Sequence, residues 1–398
     1  MVSHQRQSLD LWLIFASLAL LALGLLMVTS ASLPLATDKL GQPLYFLIHQ
    51  GANVSAGLAL AIFTFYVPST VWARHAPLLL LIAMGLLLLV LIPGIGKEVN
   101  GSVRWIPLGP VNMQVSEPAK LFALIYVASY LQRHSAVLQD SLTAVLFPLF
   151  VLAVLAILLL LEPDYGTAVV LLTTGLGMLF LAGVNIQRFI AIQTVVITVM
   201  AVLLYTSEYR WLRLIGFLEP WADPFNSGYQ LTQSLIAIGR GELWGVGLGT
   251  SVQKLFYLPE AYTDFIFAIL AEELGLAGVV SVIWLYAIIV WRAFDIAARA
   301  EWLEMTFIAN LAYGIGLWFG VQALLNMGVT MGVLPTKGLT LPLVSYGGSS
   351  VVVMCMALAI LLRSDMETRR ADPRLRPRIP TGLPRVKEIR QTEQKDES

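Results

Sequence analysis

The chain has 398 residues, of which 58% are hydrophobic and 13% charged, with 25 Lys and Arg set against 25 Asp and Glu. Soluble domains carry about 25% charged residues, so this composition excludes an ordinary water-soluble enzyme, a disordered chain and a nucleic-acid-binding domain. The balanced charge offers no field to a polyanion, and the single cysteine, Cys355, excludes disulfides within the chain and a cysteine metal cluster.

A helix needs about 20 mostly apolar residues to cross the hydrocarbon of a bilayer. Ten stretches qualify in chain order: 11–31, 45–67, 76–93, 116–132, 143–161, 166–182, 187–206, 264–291, 302–326 and 341–362. The expected fold is therefore an all-α polytopic membrane protein, with a transmembrane domain over 1–362. Thr29-Ser30-Ala31-Ser32 resembles a cleavage site, but the apolar run before it is too long for a signal peptide and reads as an uncleaved anchor. Basic residues orient the chain with both termini in the cytoplasm. Arg6, Arg74, Arg133, Arg188, Arg292 and Arg299 then lie inside, and Lys39, Lys97, Arg104 and Lys337 outside. Between spans seven and eight, 207–263 carries Trp211, Trp221, Phe225, Trp244 and Phe256, which argues for an ordered extracytoplasmic cap lying on the membrane. Residues 363–398 hold ten Lys/Arg, seven Asp/Glu and four prolines and read as a disordered cytoplasmic tail touching anionic lipid.

Ionisable residues at membrane depth are costly, so each is a functional candidate. Ser116-Glu117-Pro118-Ala119-Lys120 opens span four, with Ser116 as N-cap and Pro118 tolerated in the first turn. Glu117 and Lys120, at i and i+3, share a face and serve either as a structural ion pair or as a contact to substrate. In Glu162-Pro163-Asp164-Tyr165-Gly166, an outer turn, Asp164 is placed to cap the next helix. Counting about 20 residues upward from Arg292 at 1.5 Å each puts Glu272 and Glu273 at the outer hydrocarbon edge and Asp264 at headgroup level. Asp264 there is either a helix-terminal residue with Thr263 as its cap, or a reactive carboxylate. The Gly347-Gly348-Ser349-Ser350 run of span ten suits close helix packing. His4, His49, His75 and His134 have no metal-ligand spacing, and no P-loop, dinucleotide fingerprint or nucleophile elbow is present. Two classes remain: an enzyme acting on a lipid-linked, polar-headed substrate with a carboxylate base, and a transporter of such a lipid. Carboxylates gathered at the outer end, not the midplane, favour the enzyme.

Several runs closely resemble the SEDS family (shape, elongation, division, sporulation) of bacterial cell-wall polymerases. They are Trp221-Ala222-Asp223-Pro224-Phe225, Gly228-Tyr229-Gln230-Leu231-Thr232-Gln233-Ser234, Gly239-Arg240-Gly241-Glu242-Leu243-Trp244-Gly245, Leu258-Pro259-Glu260 with Thr263-Asp264-Phe265-Ile266-Phe267-Ala268, and Ser345-Tyr346-Gly347-Gly348-Ser349. Leu334-Pro335-Thr336-Lys337-Gly338-Leu339-Thr340 resembles the family's division branch, the elongation branch being the alternative. Glu162 stands where many of these relatives have Gln. The resemblance implies a peptidoglycan glycosyltransferase of the inner membrane at the division septum, polymerising lipid II on the outer side. It also implies a cognate class B penicillin-binding transpeptidase as partner, alongside other division membrane proteins and membrane lipids. The family's essential aspartate falls on Asp264, and its Glu/Lys pair on Glu117 and Lys120, lining a central cavity. Asp264 is then expected to act as general base in an inverting transfer that releases undecaprenyl pyrophosphate. Arg104, Arg210, Arg213, Arg240, Lys254 and Lys120 are candidate cations for the pyrophosphate, and Asp164 and Ser349 join the substrate cavity. No cofactor is specified by these residues; a divalent cation could assist, but no acidic cluster marks a site for one. A lipid II flippase and a non-catalytic scaffold are the rival roles.

Overall fold

Long apolar runs broken by Gly, Pro and charged residues give a bundle of long helices. A computed structural model describes residues 9–99, 102–109, 111–205, 217–226, 228–335 and 338–375. In chain order the elements are α1 (Leu11–Leu40), α2 (Tyr45–Tyr66), α3 (Ser69–Val90), β1 (Lys97–Val99), β2 (Ser102–Leu108), β3 (Val111–Gln114), α4 (Ser116–His134), α5 (Leu142–Leu161), α6 (Tyr165–Leu181), α7 (Ile186–Tyr205), α8 (Tyr229–Gly241), α9 (Ile266–Trp302), α10 (Thr306–Thr330) and α11 (Gly348–Ala371). Among the described residues, seven helices are long and apolar enough to cross a membrane: α1, α2, α3, α5, α9, α10 and α11. Helices α4, α6 and α7 occupy the stretches expected as spans four, six and seven. α6 and the apolar part of α7, Ile186–Val199, are shorter, and α4 carries Glu117, Lys120 and Arg133.

α4 forms the centre of the bundle. From Ser116 to Leu131 every residue but Pro118 and Phe122 is buried, and α3, α5, α6, α10 and α11 pack around it. The surrounding helices turn Phe63, Ile62, Leu81, Phe150 and Ile197 outward. An apolar surface of that extent suits hydrocarbon and not water.

The all-α expectation needs one correction. Between α3 and α4 a three-stranded antiparallel sheet, ordered β1-β2-β3, pairs Trp105 with Gln114 and Ile106 with Met113. Its sequence signal is Asn100-Gly101 and Leu108-Gly109 between short alternating runs, a hairpin chemistry that a search for 20-residue apolar windows passes over.

Helix boundaries also differ from those expected. α1 runs on to Leu40 and ends at Gly41 in the left-handed region. α11 begins at Gly348, so the glycine pair starts a helix, and Gly348 meets α2 closely there: a Cβ on it would lie 3.0 Å from Asn53 Nδ2. At its other end α11 continues to Ala371, beyond residue 362, because its charges are paired: Arg363 with Glu367, and Asp365 with both Arg299 and Arg369. Arg292 pairs with Asp10 at the start of α1, which ties the same ends of α1, α9 and α11 together through Asp295 and Arg299. The expected tail from 376 onward lies outside the described residues.

α9 is interrupted at Gly275 (φ 65°, ψ −162°). The break frees backbone groups that a membrane helix cannot leave unpaired, and the segment after α8 satisfies them. Leu276 and Ala277 N–H donate to the carbonyls of Glu242 and Leu243, while Glu272 and Glu273 carbonyls accept from Val246 and Gly247 N–H, at 2.9–3.2 Å. The two backbones pass so closely that a Cβ on Gly275 would lie 2.3 Å from Gly245 N. α8 buries Leu231, Ser234, Ala237 and Gly241 along one face, against α9 and α10. The expected cap thus contains a helix spliced into the break of α9.

Candidate active site

The turn before α9 is set by backbone bonds and side chains that fix it to a second loop. Thr263 N–H and Phe265 N–H both donate to the Glu260 carbonyl, with Glu260 itself at φ 54°. The Thr263 hydroxyl donates to the Glu260 carboxylate at 2.7 Å. Thr263 therefore does not cap α9, whose N-cap is Phe265 without a side-chain bond. Tyr346 N–H donates to Tyr262 O, and the Ser345 hydroxyl donates to Thr263 O. Asp264 stands in this turn, half-buried, and its carboxylate makes no hydrogen bond among the described residues. Its Oδ2 lies so near Gly338 that a Cβ there would be 3.0 Å away. Burial first, then the negative charge of Glu260, pushes the Asp264 carboxyl up to about 7, with Arg104 pulling it down and Asp164 adding a further push upward.

Arg104 and Asp164 form the second part of the site. Asp164 is buried and N-caps α6, accepting from Thr167 N–H at 3.2 Å, as its position in the sequence led one to expect. Arg104, on β2, reaches it at 3.7 Å and remains partly exposed. Gln114 on β3 donates from its side chain to Ser116 and, at 3.5 Å, to Asp164. Its backbone N–H donates to the Ser349 hydroxyl on α11 at 2.9 Å. Ser116 is thus a first-turn residue engaged with Gln114; the N-cap position belongs to Val115. The sheet missed in the sequence is what carries Arg104 and Gln114 to Asp164.

Glu162, at the end of α5, is wholly buried, and neither carboxylate oxygen has a hydrogen-bond partner among the described residues. Burial, and then the charge of Asp164, pushes its carboxyl up to about 9 against the pull of Arg104, so it is neutral at physiological pH. A folded-state carboxyl raised in this way binds a proton that the unfolded chain has lost. Stability therefore falls as pH rises from the ordinary Glu range toward 9. Glu162→Gln keeps the shape without the titration. Its stability is expected to exceed that of the wild type increasingly as pH is raised from 5 toward 9, by about 1.4 kcal/mol per pH unit at most, which appears as a widening gap in thermal midpoint. Thermal unfolding in detergent across that range reads it, and parallel curves for the two proteins would refute it.

Glu117 and Lys120 meet on α4, Nζ to Oε1 at 3.0 Å, both buried. Lys120 Nζ also donates to Gln322 Oε1 at 3.0 Å and lies 5.1 Å from the centre of the Trp318 ring. The Trp318 indole N–H donates to the same Gln322 oxygen, and Gln322 Nε2 donates to Thr340 O. One turn further along α10, Asn326 Nδ2 donates to Asp264 O at 2.8 Å and to Leu339 O at 2.6 Å. A turn beyond that, Thr330 O accepts from Ser234 of α8. Trp318, Gln322, Asn326 and Thr330 were not singled out in the sequence, yet the signal was present: polar or half-polar residues at i, i+4, i+8 and i+12 in an apolar span lie on one face. That face joins the Glu117–Lys120 pair, the 338–341 loop, the Asp264 turn and α8.

Two expected cations go elsewhere. Lys254 is buried, with Nζ on Glu273 at 2.8 Å and on Ser30 at 3.0 Å. Arg240 pairs with Glu272 at 3.4 Å, and Ser251 also bonds Glu272. The charge each was expected to offer to a pyrophosphate is taken up by a buried glutamate beside the break of α9. Arg210 and Arg213 lie outside the described residues. Among the described residues no group of three or more His, Cys, Asp or Glu is arranged to hold a metal ion.

With this geometry in place, comparison with known proteins locates the chain. A family described as "Cell cycle protein" (FTSW_RODA_SPOVE) matches residues 11–370. The chain is 54% identical over 360 residues to "Probable peptidoglycan glycosyltransferase FtsW" of Nitrosococcus halophilus, covering 90% of this chain and 93% of that one. It is 50% identical over 376 residues to the Legionella pneumophila protein of the same name, covering 94% and 95%. Among solved structures it resembles a chain of a peptidoglycan synthase complex that coordinates polymerization and crosslinking, with TM-score 0.76, 28% identity and coverage of 91% and 98%. It also resembles the rod shape determining protein RodA of Thermus thermophilus, with TM-score 0.67, 27% identity and coverage of 90% and 97%.

Proposed function

The chain belongs to the FTSW_RODA_SPOVE family of cell cycle proteins, and from that premise we propose that it polymerises lipid II into glycan strands during division, with Asp264 as general base. The observation that carries this reading is the Asp264 carboxyl: bare of hydrogen bonds among the described residues, half-buried, and raised to about 7. A base whose pKa lies near the working pH is both available and effective. In this mechanism Asp264 removes the proton of the acceptor's sugar hydroxyl. The oxygen then attacks the donor's anomeric carbon from the face opposite the pyrophosphate. The bond from that carbon to the pyrophosphate oxygen breaks, undecaprenyl pyrophosphate leaves with the electron pair, and the anomeric centre inverts. Arg104, partly exposed beside Asp164, is the described cation placed to meet the developing negative charge. Glu117, Lys120 and Ser349 wall the cavity, and the polyprenyl tail lies between helices in the bilayer.

The seven long apolar helices together with α4, α6 and α7 are read as ten spans, with the termini in the cytoplasm and the site on the outer side. A class B penicillin-binding transpeptidase is the partner that cross-links the product, as the synthase complex among its structural relatives couples polymerization with crosslinking. The deciding experiment supplies labelled lipid II to the purified protein with that partner and separates products by size. A ladder of glycan polymer is expected. Translocation of labelled lipid II across proteoliposomes without any polymer would overturn the reading in favour of a flippase.

Arg104 adds a separate expectation. Its positive charge lowers the Asp264 pKa, so Arg104→Ala raises it, and the acidic limb of the pH–rate profile moves to higher pH. KM for lipid II rises as well. An unchanged limb and KM would remove Arg104 from the site.

A further inference from the structure

The row of polar residues on α10 has a member whose bonds end at the Asp264 turn itself. We propose that Asn326 is a positioning residue for glycan polymerisation, its carboxamide holding the Asp264 turn and the 338–341 loop at the spacing in which the Asp264 carboxylate meets an acceptor hydroxyl. The inference rests on Asp264 being the base.

The geometry is specific. A carboxamide nitrogen carries two hydrogens at a fixed angle, and Asn326 spends one on Asp264 O (2.8 Å) and the other on Leu339 O (2.6 Å). The side chain is buried, 2% exposed, so water does not compete for these carbonyls. The two acceptors come from chain segments 75 residues apart in sequence that no helix connects directly. One belongs to Asp264 and the other to the neighbour of Gly338, where a Cβ would already stand 3.0 Å from the Asp264 carboxylate oxygen. A single nitrogen therefore bonds both the Asp264 residue and the loop that faces its carboxylate. Ser345 and Tyr346 tie the far end of the same loop to Thr263 and Tyr262. That leaves Asn326 in control of the near end. Gln322, one turn earlier, holds Thr340 O while accepting from Lys120, so the loop is also registered to the Glu117–Lys120 pair. Asp at 326 would present lone pairs to two carbonyls, and Leu would fill the space without donating.

The test measures lipid II polymerisation by the full-length protein with its transpeptidase partner, across pH, for wild type, Asn326→Asp, Asn326→Leu, Gly338→Ala and Asp264→Asn. Rates are normalised to folded, partner-bound complex. For the Asn326 variants kcat is expected to fall roughly 100-fold, the scale set by an ångström of misplacement, while KM changes little. The acidic limb is expected to move down from near 7 toward the ordinary aspartate range, because a carboxylate released from the loop regains water. Gly338→Ala leaves both hydrogen bonds intact and intrudes on the same spacing. It too is expected to lower kcat with little change in KM, and it keeps the test decisive if the Asn326 variants fail to fold. Wild-type kcat and limb per folded complex in the Asn326 variants or, should those not fold, in Gly338→Ala would overturn the proposal. If these variants match wild type and Asp264→Asn is inactive, the clamp alone fails. If Asp264→Asn polymerises with a wild-type limb, the base assignment fails instead.

Discussion

Asp264→Asn is expected to reduce polymerisation by a factor of about 10²–10⁴, the usual contribution of a positioned general base, with the fold and the partner complex retained. The substitution is nearly isosteric, and the bond that anchors the turn runs from Asn326 to the Asp264 backbone carbonyl, which Asn keeps. No helix cap is lost, because the N-cap position of α9 is Phe265 and no side chain bonds there. The loss would therefore be chemical. A second signature accompanies it. The carboxyl is raised to about 7 in the folded protein, so the folded state holds a proton that the unfolded chain releases above the ordinary aspartate range. Wild-type stability consequently declines as pH rises from about 4 to about 7, and Asp264→Asn escapes that decline. The inactive variant is expected to melt at a higher temperature than wild type at pH 8, with the difference shrinking at pH 5. Polymer yield on gels and thermal unfolding in detergent provide both readings. Wild-type polymer from the variant would return Asp264 to a purely structural role.

Removing one member of the buried pair on α4 is the other large effect. Lys120→Met leaves the Glu117 carboxyl buried without its counter-ion, with Oε1 stripped of its partner and Oε2 already without one among the described residues. Breaking such a pair costs about 3–5 kcal/mol, mostly from the uncompensated charge. Adding Glu117→Gln to it removes that charge, and the double variant is expected to recover most of the loss. A double-mutant cycle on thermal or denaturant unfolding measures the recovery. Polymerisation separates the two roles that the i, i+3 spacing leaves open. Lys120 also holds Gln322, whose amide holds the Thr340 carbonyl, so the double variant is expected to regain stability and not activity. Full recovery of both would make the pair structural alone.

The sequence by itself determined the apolar segments, the capping role of Asp164 and the shared face of Glu117 and Lys120. Each is a local quantity. Hydrocarbon preference accumulates residue by residue along one helix. A cap bonds three residues away, and an i, i+3 pair is placed by helix geometry alone. The antiparallel sheet was also locally encoded, in Asn100-Gly101, and needed only a period-2 reading in place of a search for spans. Tertiary structure alone decided which partner each charge meets. Arg104, Arg240 and Lys254 all look like pyrophosphate ligands in the sequence, until the fold brings Asp164 to the first, Glu272 to the second, and Glu273 and Ser30 to the third. It also decided that the break at Gly275 is filled by backbone from 242–247, and that one carboxamide on α10 reaches both the Asp264 turn and the 338–341 loop. Such partners are tens to hundreds of residues apart along the chain. A side chain's type states what it can bond, and only the packing of the helices brings a partner within 3 Å of it.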